Sequence, residues 1–172
     1  MGNIVTFVII GICGLAFFTL SPDSSYKYGI MPLQIKRGQY YRIITGAFLH
    51  ASISHLFMNM FSLYNIGAFL ETFVGSPKFA IILGLSIVAS SLAITFFGKP
   101  DTITVGMSGG LYGLLGYYVV LLFKLGILFN SNVSGSLIRV LLINLAISLM
   151  PGVSLLGHLG GFVVGALLGF II

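Results

Sequence analysis

The sequence predicts an all-α integral membrane protein, folded as a bundle of six membrane-spanning helices. Of its 172 residues, 58% are hydrophobic and only 6% are charged, and the mean hydropathy is +1.12. A soluble domain carries about a quarter charged residues, so this chain has too few charges to cover a surface that faces water. The apolar residues also fall into six runs, and the length suits a single membrane domain, residues 1–172.

The net charge of +5 does not indicate a nucleic-acid-binding protein. The basic residues are scattered singly, and Lys36-Arg37 is the only adjacent pair. A nucleic-acid surface would need basic residues gathered on one face. We therefore expect the lipid bilayer, and no nucleic acid, among the partners. The single cysteine, Cys13, lies in the first apolar run, where a lone thiol usually packs as a small hydrophobic side chain.

Six segments approach the length of about 20 apolar residues that a bilayer-crossing helix needs. The predicted spans cover approximately residues 4–20, 52–71, 78–97, 108–123, 136–150 and 157–172. Turn residues separate them, for example at Ser21-Pro22-Asp23 and Pro151-Gly152. The last three are short and should lie in thinned or protein-lined membrane, or continue into their flanks. The first is expected to be a retained helix, because Met1-Gly2-Asn3 lacks the basic residues of a signal peptide.

The longest non-spanning stretch, residues 21–43, is predicted to be a folded loop that is partly embedded in the membrane interface. It mixes tyrosine and aliphatic residues with lysine and arginine, a combination typical of the membrane–water boundary. Arg42, near its end, should not pair with Glu71, because a whole span of about 30 Å separates them. Residues 98–107 contain a β-branched run and are predicted to be an extended segment that leads into the fourth span.

Glycine spacing predicts which helices pack most closely. The sixth span carries a glycine at every fourth position, namely Gly157, Gly161, Gly165 and Gly169. The fourth span has a similar series, namely Gly106, Gly109, Gly110, Gly113 and Gly116. Small residues four apart let two membrane helices approach backbone to backbone. The fourth and sixth spans are therefore expected to be the closest pair, although such stripes also occur in proteins without a catalytic site.

Polar side chains at membrane depth are costly, so each is a functional candidate. Ser108 and His158 lie at the starts of the two glycine-rich spans, and His55 and Asn59 share one face of the second helix. These four could supply the nucleophile, the base and the oxyanion donors of nucleophilic catalysis. No acidic residue is placed to orient the base, so the pair would be a Ser–His dyad. Tyr112, one turn after Ser108, either holds the imidazole by packing or is an ordinary core aromatic residue.

A metal site is the first alternative, because three histidines, His50, His55 and His158, lie in or beside spans and neutral imidazole suits zinc. However, the three acidic residues, Asp23, Glu71 and Asp101, all lie at segment ends, and no His-Glu-x-x-His motif occurs. We therefore expect no metal and no cofactor.

Taken together, these residues form a pattern that is known from one family. Gly106-Met107-Ser108-Gly109 is followed by Tyr112, and His158 is followed by Gly161 and Gly165. His55 and Asn59 lie in the second span, and His50 is expected in the loop just before it. The combination closely resembles the rhomboid family of intramembrane serine proteases, in its small six-span prokaryotic form, and the resemblance extends over the whole chain.

The resemblance implies that Ser108 is the nucleophile and His158 the general base. His55, Asn59 and the Ser108 backbone N–H would form the oxyanion hole, and Tyr112 would pack on the His158 ring. The supporting residues would be His50, Tyr112, Gly106, Gly109, Gly161 and Gly165. The implied activity is endopeptidase cleavage within the transmembrane segments of single-pass or multi-pass membrane proteins.

The resemblance also implies a multi-pass protein of the cell membrane whose active site opens to the extracytoplasmic side. Two features differ from the simplest expectation. The family often has Trp-Arg in the first loop, where this chain has Tyr41-Arg42 and no tryptophan. The implied orientation also places Lys27, Lys36, Arg37, Arg42 and Lys99 outside, against the positive-inside tendency.

Two non-catalytic functions remain as alternatives. One is a protein of the same fold with a silent site that binds membrane clients, against which the intact set of Ser108, His158, His55 and Asn59 argues. The other is a small transporter, which would be expected to show internal repeat symmetry, and none is found in the sequence.

Overall fold

A computed structural model describes residues 2–21 and 23–172 of the chain. Five long helices are α1 (Ile4–Thr19), α7 (Ser76–Phe97), α8 (Ser108–Lys124), α9 (Ser131–Ser148) and α10 (Leu155–Ile171). A sixth long helical segment, residues 53–74, consists of α5 (Ile53–Ser62), a π-helix (Leu63–Gly67) and α6 (Ala68–Val74). Within the described residues there is no β-strand, so the all-α prediction is confirmed.

The six long segments correspond to the six predicted spans, with shifted ends. The second extends three residues beyond its predicted end, and the fifth starts at Ser131 and ends at Ser148 instead of covering residues 136–150. The predicted turn at Ser21-Pro22-Asp23 includes Pro22, which lies outside the described residues. Of the described helices, only α7 is both long enough and apolar enough by itself to cross a membrane, while α1, α10 and residues 133–148 of α9 are apolar but shorter. The count of six spans therefore stays a prediction.

The first loop is folded into short helices. They are α2 (Ser24–Tyr28), α3 (Pro32–Lys36), α4 (Arg42–Thr45) and a 3-10 turn (Gly46–Phe48). The buried guanidinium of Arg42 ties this loop together, because Nη1 donates to the Tyr26 and Gly29 carbonyls, both at 2.9 Å, and Nε donates to Gln39. The basic residue of the Tyr41-Arg42 pair therefore organises the loop from within and does not pair with Glu71.

The loop is joined to the segment that precedes α8. Ile30 and Thr104 form an isolated antiparallel bridge through two backbone hydrogen bonds of 2.9 Å. The Leu33 N–H donates to the Pro100 carbonyl at 2.8 Å. These contacts confirm that residues 98–107 include extended backbone, and they hold the approach to α8 against the first loop.

The core of the bundle is formed by α7, α8 and α10. Helix α10 packs most extensively against α8 and next against α7. A Cβ atom added at Gly161 would overlap the Gly109 carbonyl, and one added at Gly165 would overlap the Gly113 carbonyl. The predicted close packing of the fourth and sixth spans is thus confirmed. The Ser90 and Ser86 hydroxyls of α7 occupy the space that side chains at Gly109 and Gly113 would need.

Large apolar side chains cover the outward faces of the long helices. Exposed examples are Phe7 and Phe18 on α1, Ile81 on α7, Leu142 on α9 and Leu167 on α10. Soluble monomers rarely expose apolar surface on this scale. The same side chains are well solvated by lipid, so the surface favours a position within a bilayer.

Candidate functional site

Ser108 and His158 meet at one end of the bundle. Ser108 is the first residue of α8, and His158 lies in the first turn of α10. The two side chains are joined by a hydrogen bond, since Nε2 of His158 is 2.9 Å from Oγ of Ser108. The glycine contacts between α8 and α10 bring the first turns of the two helices close together, because small residues let helix backbones approach each other.

The backbone just before Ser108 has a conformation that requires glycine. Gly106 has φ of +120°, and its N–H donates to the Gly46 carbonyl at 2.9 Å. A Cβ atom at this position would lie 2.7 Å from both Cε1 and Nε2 of His55. The His55 ring therefore lies directly against the segment that leads into Ser108.

Helix α5 carries His55 and Asn59 on the face that approaches this segment. The helix begins beside them, because Oγ of Ser52 accepts a hydrogen bond from the His55 N–H at 3.1 Å. Asn59 is buried, and its Nδ2 donates to the His55 carbonyl at 2.9 Å. That bond uses one of the two amide hydrogens, so Asn59 keeps one N–H for another acceptor. The Asn59 Oδ1 atom makes no hydrogen bond within the described residues.

His50 lies in the loop before α5, as expected. Its ring is buried and packs edge-on against His55, with the ring centroids 5.0 Å apart. Burial, and to a smaller extent the neighbouring His55 imidazole, lower the pKa of His50 to about 4. His50 is therefore a neutral imidazole at pH 7 and contacts the site through His55.

Tyr112 lies flat against His158. The two ring planes are 9° from parallel, and their centroids are 3.9 Å apart. The phenol oxygen reaches α9, where it lies 2.5 Å from the Asn144 carbonyl and 2.6 Å from Oγ of Ser148. The structure therefore favours the packing role for Tyr112 over that of an ordinary core residue.

Ser148 is a further residue of the site that the sequence did not predict. Its hydroxyl lies 2.7 Å from Nδ1 of His158, the ring nitrogen that faces away from Ser108. Ser148 is the only hydroxyl-bearing residue in the C-terminal half of α9. That feature was the available signal, but it does not reveal which way the hydroxyl points.

The predicted supporting glycines occupy the places where backbones touch. Gly109, Gly161 and Gly165 lie at the crossing of α8 and α10, and Gly106 lies against His55. No group of three or more histidine, cysteine, aspartate or glutamate side chains is arranged to hold a metal ion in the part of the chain that the structure describes. The site is thus a serine hydroxyl beside an imidazole, with further N–H donors nearby.

Comparison with known proteins agrees with this geometry. The family model described as the rhomboid domain matches residues 37–172, which is most of the chain. The chain belongs to the rhomboid family. The matched region includes Ser108, His158, His55, Asn59 and Tyr112.

Relatives of this rhomboid protein occur in plants and bacteria. RHOMBOID-like protein 1 of Arabidopsis thaliana is 34% identical over 139 residues, which cover 80% of this chain and 36% of that protein. RHOMBOID-like protein 6, mitochondrial, from the same plant is 35% identical over 159 residues, which cover 89% of this chain and 52% of that protein. The putative rhomboid protease YdcA of Bacillus subtilis is 28% identical over 141 residues, which cover 81% of this chain and 70% of that protein.

The relatives differ in how much of their own length is matched. This rhomboid chain spans between about a third and a half of the two plant relatives, since the coverage is 36% and 52%. YdcA is named a putative rhomboid protease and GluP, also of Bacillus subtilis, a rhomboid protease, whereas the two Arabidopsis relatives carry the name RHOMBOID-like. Rhomboid proteins are membrane proteins, which agrees with the apolar surface of the bundle.

Proposed function

We propose that this protein is an intramembrane serine endopeptidase that cleaves transmembrane segments of other membrane proteins with a Ser108–His158 dyad. The observation that carries the proposal is the 2.9 Å hydrogen bond between Oγ of Ser108 and Nε2 of His158. A hydroxyl in hydrogen-bond contact with an imidazole is the arrangement that activates serine as a nucleophile. The names of the bacterial relatives support the same class of reaction.

In the proposed reaction, Oγ of Ser108 bonds to the carbonyl carbon of the scissile peptide while its proton passes to Nε2 of His158. The carbonyl π electrons move to oxygen, which becomes an oxyanion. His158 then returns the proton to the leaving amine, and the peptide C–N bond breaks. Water, deprotonated by His158, adds to the acyl enzyme and releases the second product, which restores the Ser108 hydroxyl.

The oxyanion would be stabilised by N–H donors that surround Ser108. The first backbone N–H groups of a helix have no partner within the helix, and the N-terminal end of the helix dipole favours negative charge. The Ser108 N–H at the start of α8 therefore suits this role. His55 supports the oxyanion from the position where its ring meets Gly106, and Asn59 contributes the amide hydrogen that is not bonded to the His55 carbonyl.

The proposed substrates are single-pass or multi-pass membrane proteins, and the proposed location is the cell membrane. The starts of α5, α8 and α10 gather at the end of the bundle that also carries the first loop. We assign this end to the extracytoplasmic side, by the orientation implied by the family resemblance. A site near a helix start also lies close to the aqueous phase, which supplies the water that hydrolysis consumes.

The test is cleavage of a single-span substrate in liposomes, with the cut site mapped by mass spectrometry. Ser108→Ala should abolish cleavage, while Ser21→Ala, which removes an exposed loop hydroxyl, should leave it unchanged. A fluorophosphonate probe should label Ser108 in the unsubstituted protein. Full activity of Ser108→Ala would overturn the dyad. A folded protein that neither cleaves nor reacts with the probe would favour the alternative function, a silent site that binds membrane clients.

A further inference from the structure

The imidazole of His158 is hydrogen-bonded at both nitrogens. Nε2 contacts Ser108, and Nδ1 lies 2.7 Å from Oγ of Ser148 on α9. Both His158 and Ser148 are buried, with exposed fractions of 4% and 3%. In a serine–histidine–aspartate triad, a carboxylate occupies the position beside Nδ1. Here a neutral hydroxyl from another helix lies in that position.

The acceptors around Ser148 determine where its proton goes. The Ser148 hydroxyl lies 2.8 Å from the Asn144 carbonyl oxygen and 2.6 Å from the Tyr112 hydroxyl. A backbone carbonyl can only accept a hydrogen bond, whereas a hydroxyl has one proton and two lone pairs. If Ser148 donates its proton to Asn144, its two lone pairs are free to accept from Tyr112 and from Nδ1–H of His158.

When Ser148 donates to the Asn144 carbonyl, one tautomer of His158 fits the network. The Asn144 carbonyl, which cannot donate, lies within reach of both hydroxyls, 2.8 Å from Ser148 and 2.5 Å from Tyr112. With the Ser148 proton on this carbonyl, Ser148 accepts from Nδ1–H of His158. Nδ1 then carries the proton, and Nε2 presents its lone pair to the Ser108 hydroxyl at 2.9 Å. The hydrogen bond made by one ring nitrogen sets the state of the other, and only this tautomer can accept the serine proton.

We propose that Ser148 is a positioning residue for the dyad, which holds His158 in the Nδ1–H tautomer and stabilises the imidazolium that forms when Ser108 attacks. The inference rests on the proposed serine protease function. When the Ser108 proton moves to Nε2, the Nδ1–H bond to Ser148 becomes charge-assisted and strengthens. The bond therefore contributes more in the transition state than in the resting enzyme, which lowers the barrier.

The kinetic test compares Ser148→Ala with Ser148→Thr. Ser148→Ala should lower kcat by about 10- to 100-fold, the effect expected when a hydrogen bond to a charged group is lost. KM should change by less than about 2-fold, because Ser148 contacts the base and not the substrate. Ser148→Thr keeps the hydroxyl and should restore kcat to within about 3-fold of the unsubstituted enzyme.

Ser86→Ala is the matched control. It removes another buried serine hydroxyl that bonds to the carbonyl four residues earlier, in this case that of Ile82 on α7, at 2.7 Å. It should leave kcat unchanged within about 2-fold, because Ser86 does not contact His158. Three results would overturn the proposal. They are an equal loss of kcat in Ser86→Ala and Ser148→Ala, a change in Ser148→Ala that is confined to KM, and low activity of Ser148→Thr despite normal folding.

A second test reads the tautomer without using activity. Nitrogen-15 chemical shifts of labelled histidine in the detergent-solubilised full chain distinguish protonated from unprotonated ring nitrogens, and His158→Gln assigns the His158 signals by difference. The Nδ1–H form should dominate in the unsubstituted protein, and Ser148→Ala should increase the Nε2–H form. A dominant Nε2–H form in the unsubstituted protein would overturn the role of Ser148 even if the enzyme cleaves. If Ser108→Ala still cleaves, the proposed function fails, but the tautomer result is unaffected. If Ser148→Ala does not fold, the spectrum of the unsubstituted protein and the activity of Ser148→Thr decide the question.

Discussion

Tyr112 and His158 form a parallel stack, with 3.9 Å between the ring centroids. This contact restrains the imidazole from one face, whereas the bonds to Ser108 and Ser148 restrain it within its own plane. A side chain that is restrained in both ways keeps its lone pair aimed at the nucleophile without a carboxylate. The stack and the hydroxyl contacts of Tyr112 can be separated by substitution.

Tyr112→Phe should be a mild change, and Tyr112→Leu should be a severe one. Phenylalanine keeps the ring on His158 and loses the hydroxyl contacts to Asn144 and Ser148, so kcat should fall by less than about 10-fold, which corresponds to one neutral hydrogen bond. Leucine also loses the stack and should lower kcat by a further factor of about 10. Steady-state cleavage, with thermal unfolding as the control for folding, measures both. Equal losses in the two variants would show that the phenol oxygen, and not the ring, positions the base.

Asn59→Ala should lower kcat by about 100- to 1000-fold, the usual effect of removing one oxyanion donor. Some activity should remain, because the Ser108 backbone N–H is still present, so the loss should be smaller than in Ser108→Ala. Asn65→Ala is the matched control, since Asn65 also donates Nδ2 to the carbonyl four residues earlier but lies farther along the same segment. Single-turnover cleavage rates separate the chemical step from binding. An unchanged rate in Asn59→Ala would remove Asn59 from the oxyanion hole.

Gly106→Ala should abolish most of the activity through a local clash. An alanine here would be strained by the positive φ and would also collide with the His55 ring. Gly38 also has a positive φ, +99°, but it has open space around it. Gly38→Ala therefore measures the cost of backbone strain alone, which is about 1–2 kcal/mol. Both variants should lose similar stability from strain, but only Gly106→Ala should lose cleavage beyond about 10-fold, because His55 and the Ser108 segment must move apart. Comparable activity in the two would mean that the His55 contact does not matter for the reaction.

The sequence allowed the pairing of α8 and α10 to be predicted because glycine spacing encodes a distance. A glycine at every fourth position leaves a stripe that only another backbone can fill closely, and this is how Gly161 and Gly165 meet the carbonyls of Gly109 and Gly113. Ser108 and His158 lie at the matching ends of these helices, so their proximity follows from the same packing. Their catalytic roles remain a proposal.

Other features could not be predicted because lipid removes the usual signal. In a soluble helix, the polar face marks the outward side. Helix α9 instead presents apolar residues such as Leu142 and Leu145 outward. Because its sequence is almost uniformly apolar, the rotation of α9 about its own axis, and hence the direction of Ser148, could not be predicted. The π-helix at Leu63–Gly67 could not be predicted either, because its residues also occur in ordinary α-helices. The buried contacts of Arg42 depend on the path of an irregular loop.

Gly161→Ala should destabilise the bundle. The added methyl group would overlap the Gly109 carbonyl on α8, and a rigid backbone cannot move aside as a flexible side chain can. Overpacking of this kind typically costs about 1–3 kcal/mol, and cleavage should fall as well because Ser108 and His158 are separated. Gly84→Ala is the control, because no atom lies within 4 Å of the added methyl group on α7. Equal unfolding free energies for the two variants in mixed micelles would contradict the backbone contact.

Glu71→Gln should weaken the attachment of α1 without affecting the reaction. The buried Glu71 carboxylate accepts hydrogen bonds from the Val5 and Thr6 N–H groups at 2.9 and 2.8 Å, and from the Ser76 hydroxyl at 2.6 Å. These N–H groups belong to the first turn of α1, where no carbonyl of the helix itself is available. Glutamine would direct an NH2 group at one of these donors, so the free energy of unfolding should fall by about 1–3 kcal/mol.

The catalytic rate at low temperature should not change in Glu71→Gln, because sixteen residue steps, or about 24 Å of helix, separate Glu71 from His55 along the same segment. Thr72→Val is the neighbouring control. It removes an exposed hydroxyl that donates to Asn3 Oδ1 at 2.7 Å and should change the unfolding free energy by less than about 0.5 kcal/mol. Unfolding in mixed micelles and cleavage at low temperature are measured on the same preparations. A loss of rate in fully folded Glu71→Gln would mean that α1 communicates with the site, whereas unchanged stability would mean that the carboxylate does not hold α1.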